Sequence, residues 1–191
     1  MTTAADRAID RGGTLARALA EACAGQAEDA LVVASGADAA AGEIARLAKG
    51  IAAGEKVTAW EGAPRDGIAL GVSRARFVIA STGTAVVDLG NGADQASATL
   101  LARHVVLVAR EEDVLPDLEA FYSAYAGLRA SGALGPRLAM ITGPSRTADI
   151  EKMLVMPAHG PAAVTVLIVR GEGDWETLAE AVCRGIHDPS R

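Results

Sequence analysis

The run Ala163-Val164-Thr165-Val166-Leu167-Ile168-Val169 constrains the fold more than any other feature of this chain. It has no polar alternation, so a strand built from it presents apolar side chains on both faces. Such a strand is stable only where both faces are covered, as in a parallel sheet packed between other layers. His104 to Val108 has the same character, and Leu31–Ala34, Phe77–Ala80, Ala85–Leu89 and Leu138–Thr142 are shorter versions of it. Val57 to Trp60 is a further strand. Helical segments lie between them. Asp38 to Ala53 places Ile44, Leu47, Ala48 and Ile51 on one face, and Asp117–Ala130 and Asp174–Arg184 follow the same period. Thr2 to Ala24 reads as an amphipathic helix broken at Gly12-Gly13. Strands alternating with helices predict an α/β fold with a mainly parallel sheet and helices on both faces.

At 191 residues the chain suits a single domain, residues 1–191. Half of the residues are apolar but only 3% are aromatic, so the core is expected to be aliphatic and closely packed. A net charge of -6 argues against a nucleic-acid binder, which needs a basic patch or stripe. No apolar window approaches the ~20 residues that span a bilayer. The N-terminal residues lack a charged-then-apolar leader pattern, so the expected location is cytoplasmic, away from membranes. Cys23 and Cys183 are far apart and have no CxxC neighbour. A structural zinc or an iron–sulfur cluster needs about four clustered ligands. The expectation is therefore no metal and no cofactor, with both thiols buried and unpaired.

The segment Thr142-Gly143-Pro144-Ser145-Arg146-Thr147-Ala148-Asp149-Ile150-Glu151, followed by His159-Gly160-Pro161, carries most of the chemistry. A turn that only reverses the chain needs Gly, Pro or Asn, not hydroxyls, a guanidinium, carboxylates and an imidazole together. The segment follows one strand and precedes another, where open α/β sheets place their ligands. Earlier, Gly71-Val72-Ser73 and Ala75 precede Phe77–Ala80, then Thr82-Gly83-Thr84, Gly90-Asn91 and the strand from His104.

These motifs, in this order, resemble the lactate utilisation protein C family, the LUD domain. The likeness is strong from about residue 67 to 170 and weaker before it. It implies the three-layer α/β fold shared by sugar-phosphate isomerases, CoA transferases and formyl-tetrahydrofolate cyclo-ligases, the NagB/RpiA/CoA transferase-like fold. It also implies a part in L-lactate oxidation to pyruvate beside iron–sulfur partner proteins, with this chain handling substrate or partners and carrying no redox centre. The chain departs from the family pattern at three places. Ser81 stands where a glutamate usually precedes Thr-Gly-Thr, Asp94 and Gln95 replace an arginine, and Pro157 replaces a glycine.

Each candidate residue also has a structural reading. Thr82, Gly83 and Thr84 either cradle an anion or form a tight turn between strands. Asn91 belongs to turn chemistry unless that turn faces Thr82. Ser145 and Thr147 are helix N-caps or ligand contacts, and Asp149 and Glu151 suit a first helical turn or acid–base work. Arg146 is unfavourable at a helix start, so it either grips a carboxylate or phosphate by a bidentate fork or forms an internal ion pair with Asp149 or Glu151, two readings of about equal weight. His159 is a hydrogen-bonded structural imidazole or a general acid–base. The alternative functions are a free-standing enzyme on a small anionic molecule (sugar phosphate, acyl-CoA or folate) and a non-catalytic assembly or regulatory subunit. With only two distant cysteines, the purified chain should be colourless. Visible sulfur-to-iron absorption surviving reconstitution and gel filtration would contradict this.

Overall fold

The computed structural model describes residues 31–49, 56–58, 68–90, 93–142, 161–171 and 175–187. Five strands form the main sheet: β1 (Leu31–Ala34), β2 (Lys56–Thr58), β3 (Ile68–Arg74), β6 (His104–Arg110) and β9 (Ala163–Val169). Their order is β1-β9-β6-β3-β2 and every pairing is parallel. Four strands form a second sheet in the order β7-β4-β5-β8: β4 (Phe77–Ile79), β5 (Thr84–Asp88), β7 (Val114–Leu115) and β8 (Leu138–Ile141). In it β4 pairs parallel with β7, whereas β5 runs antiparallel to both β4 and β8. The helices are α1 (Ala37–Lys49), α2 (Ala93–Leu100), α3 (Leu118–Ala130) and α4 (Trp175–His187). The expected α/β class with a mainly parallel main sheet is the one observed.

The absence of alternation in β6 and β9 has a direct structural cause. Val105, Leu107, Ala109, Val164, Val166 and Ile168 pack against Val78, Ala80, Ala85 and Val87 of the second sheet. Their neighbours Val106, Val108, Leu167 and Val169 pack on the opposite face against Ile44 of α1 and Leu178 and Val182 of α4. Each strand thus serves two cores, and each fully buried Val or Leu contributes about 1.5–3 kcal/mol. The second sheet is buried on its far face too, where Phe77, Ile79 and Val86 meet Phe121 of α3. Phe121 lies edge-on to Phe77 with ring centroids 6.0 Å apart. Among the described residues four of the five aromatics lie in this outer layer, the exception being Trp175 on the α1–α4 side, while the two inner faces are aliphatic as expected.

The chain passes between the sheets without a long connection. After β3 it enters β4 through Ala75 and Arg76, whose amides donate to Val108 at 2.8 Å and Val86 at 2.7 Å. After β6 it reaches β7 through one 3-10 turn, Glu111–Asp113. Helix α3 begins where the Asp117 carboxylate accepts from the Ala120 amide at 2.9 Å, satisfying one free N–H of the first turn.

Most expected elements are present within a residue or two of their predicted ends. Three were not anticipated: β3, the short β7, and α2. Helix α2 lies on β3, where Ser73 and Thr99 are fully buried and share a 2.7 Å hydrogen bond donated by Thr99. The expected N-terminal helix lies outside the described residues, and so does Cys23.

Gly71 is what lets α2 approach β3. A Cβ there would sit 2.0 Å from the Ala98 carbonyl oxygen and 2.8 Å from the Ala102 Cβ. Because the first obstacle is backbone, Gly71→Ala should destabilise the fold by about 1–3 kcal/mol or more. Urea unfolding should show a lower midpoint at unchanged slope.

Candidate functional site

Antiparallel register brings two separate motifs together. The pairing of β5 with β8 sets Ala85 opposite Ile141, which leaves Thr84 beside Thr142 at the end of the ladder. Their hydroxyl oxygens are 2.9 Å apart, and Thr84 is also 2.7 Å from the Thr82 hydroxyl. Thr84 is buried at 5% exposure, Thr82 is half-buried and Thr142 is exposed. Gly83 makes the geometry reachable with φ at +65°, a region in which a side chain is strained. The turn is anchored from behind, since the Ala80 and Ser81 amides donate to Leu115 at 2.8 Å and Pro116 at 3.0 Å.

A row of three hydroxyls joined by two hydrogen bonds has one hydrogen left over. If Thr84, buried in the middle, spends its hydrogen inside the row, the spare donor emerges at Thr82 or at Thr142. The row therefore presents a donor or an acceptor at Thr82, according to which way its hydrogens run. That end suits an oxygen function of a small molecule.

Of the residues nominated from the sequence, Thr82, Gly83 and Thr84 form this turn. Asn91, Ser145, Arg146, Thr147, Asp149, Glu151 and His159 lie outside the described residues. Gly90, next to Asn91, has φ at +48° and is at the opposite end of β5 from Thr84, roughly 15–20 Å along the strand. Asp88 holds that end, with its two carboxylate oxygens each accepting an amide at 2.8 Å, from Gly90 and Gly135. Thr142 was read only as the start of the motif segment. Its contact with Thr84 depends on strand register 58 residues apart, which no local pattern reveals.

His104 and Thr165 form a cross-strand pair. The imidazole Nε2 lies 2.8 Å from the Thr165 hydroxyl at the start of β6 and β9. Gln95 donates its amide to the Arg74 carbonyl at 3.1 Å. Among the described residues no group of His, Cys, Asp and Glu could hold a metal ion. No described helix is long and apolar enough to cross a membrane.

Residues 66–169, more than half of the chain, match the LUD domain. The chain belongs to the LUD domain family. Lactate utilization protein C of Halalkalibacterium halodurans is 31% identical over 104 residues, covering 52% of this chain and 44% of that protein. The protein of the same name from Geobacillus sp. (strain WCH70) is 28% identical over 100 residues, covering 52% and 42%. The match thus spans under half the length of these relatives. The crystal structure of a DUF162 family protein from Deinococcus radiodurans has the same fold, with a TM-score of 0.56 at 17% identity, covering 81% of this chain and 96% of that one.

Thr84 links both partners of the row, so Thr84→Val should leave two hydroxyls without their shared partner. The expected loss is about 1–2 kcal/mol, with Thr84→Ser retaining most of the stability. Equilibrium unfolding of the two variants checks this.

Proposed function

We propose that this chain binds a small carboxylate or hydroxy-carboxylate as part of lactate utilisation. The observation that carries the reading is the hydroxyl row Thr82–Thr84–Thr142, because it ends on the first residue of the segment bearing Ser145, Arg146, Thr147 and His159. In this reading the row addresses the substrate hydroxyl or carbonyl, while Arg146 grips the carboxylate through a two-pronged charge-assisted pair. Asp149, Glu151 and His159 are then within the same short segment and available for proton transfer. The name lactate utilization protein C, borne by the relatives, supports the substrate class. Electron transfer would fall to iron–sulfur partner proteins, with this chain holding substrate in a cytoplasmic complex and supplying no redox centre.

The test is a melting series with lactate, pyruvate and acetate. Lactate or pyruvate should raise the melting temperature saturably, and acetate, which lacks the second oxygen function, should do so less. Arg146→Ala should weaken binding on the order of ten- to a hundredfold, the equivalent of one lost charge-assisted bond. Arg146→Lys should recover part of it, since an ammonium keeps charge without the planar fork. A lower melting temperature of the unliganded Arg146→Ala variant, with an unchanged ligand shift, would instead assign Arg146 to an internal ion pair.

A further inference from the structure

The carboxyl ends of the main-sheet strands carry a feature that the hydroxyl row does not use. Arg74 ends β3, Arg110 ends the adjacent β6, and Arg170 follows the last residue of β9. From β3 and β6 the chain leaves towards the second sheet, whereas from β1 and β9 it leaves towards α1 and α4 on the other face. The direction of exit thus reverses between β6 and β9, and this is where open α/β sheets form a ligand crevice. The register pairs Arg74 with Val108, so Arg110 is two residues further along the neighbouring strand and on the same face.

The Arg74 guanidinium lies 4.0 Å above the ring of Trp175, the first residue of α4, and so beside the positive end of that helix. Its Nε is buried and has no hydrogen-bond partner among the described residues. Burial first, and then the charges of Arg76 and Arg110, pull the Arg74 pKa down, with Asp113 acting against them. Burial pushes the Asp113 carboxyl up despite the attraction of Arg74. Arg110 is largely sheltered, at 20% exposure, but its partner at 2.8 Å is Glu112, a side chain 63% exposed. Arg170, one residue beyond the register partner of Arg110, lies on the other face and is held by Glu111 at 2.9 Å, with exposures of 19% and 52%. Well-seated guanidinium groups are thus matched by surface carboxylates that can swing away at little cost.

We propose that Arg74 and Arg110, beside the start of α4, form a binding site for the phosphate group of a small molecule, with Glu112 occupying part of it as an internal stand-in. A doubly charged tetrahedral group would take the place of the Glu112 carboxylate on Arg110 and, with the Arg74 guanidinium shifted on the Trp175 ring, accept from the Nε that is otherwise buried without a partner. The site is separate from the hydroxyl row. Thr84 pairs with Ile79, at the end of β4 away from the Ala75-Arg76 crossing that follows Arg74.

Calorimetric titration of the full chain with inorganic phosphate tests this. Phosphate should bind saturably, sulfate should compete and acetate should not. Arg110→Gln should weaken phosphate by about tenfold or more, the effect of one charge-assisted bond. Glu112→Gln removes the competing carboxylate at an exposed position, so it should fold normally and bind phosphate several-fold more tightly, by about the weak strength of the surface pair it removes. Tryptophan emission should change with the same midpoint and stop changing in Trp175→Phe, because the guanidinium over that ring would move. Absence of saturable binding in both wild type and Glu112→Gln overturns the proposal. So does an affinity that Glu112→Gln leaves unchanged.

Discussion

The burial of both faces of β6 and β9 is the constraint on which the rest of the molecule depends. One face of each strand seals against the second sheet and the other against α1 and α4. Neither sheet can be removed without exposing aliphatic surface on its partner, and parallel strands have no stable arrangement with a bare face. The loops at the strand ends inherit their positions from this sandwich. The short crossings at Ala75-Arg76 and Glu111–Asp113 leave little freedom in how the sheets lie on one another.

That rigidity sets the two polar regions. At one end of the second sheet the β4–β5 turn is tied by its amides to Leu115 and Pro116, and β8 arrives in register beside it. Three hydroxyls meet there without any of them being displaced from strand or turn geometry. At the carboxyl end of the main sheet, adjacent strands run out together, so arginines at their last positions are forced into proximity. Like charges are costly to assemble in this way. The Trp175 ring, Asp113 and the surface glutamates offset that cost in the unliganded protein.

Much of the fold was legible because local pattern and burial agreed. Unalternating runs such as Val105–Val108 and Val164–Val169 announced strands covered on both sides, and α1, α3 and α4 followed their apolar period. Helix α2 was not legible, because its sequence Ala-Asp-Gln-Ala-Ser-Ala-Thr-Leu is small and polar. It is held by close approach over Gly71 and by the buried Ser73–Thr99 pair. Strand β3 was obscured by Gly71 and Ser73, which weaken a strand in isolation but here make room for α2. Of the candidate site, the Thr82-Gly83-Thr84 turn was visible through its glycine. The part played by Thr142 and the clustering of Arg74 with Arg110 were not.

The amino-acid sequence by itself determined the element types, the two-sided core strands, the aliphatic character of the interior and membership in a family with a distinctive motif. These follow from side-chain chemistry and period, which act over a few residues. Only the tertiary structure decided that two sheets stack, that Thr84 meets Thr142, and that arginines from separate strands share one rim. Register and crossover direction create those meetings between residues tens of positions apart. They are set by how whole faces pack, because slipping a strand by one residue would turn its apolar side chains away from the core.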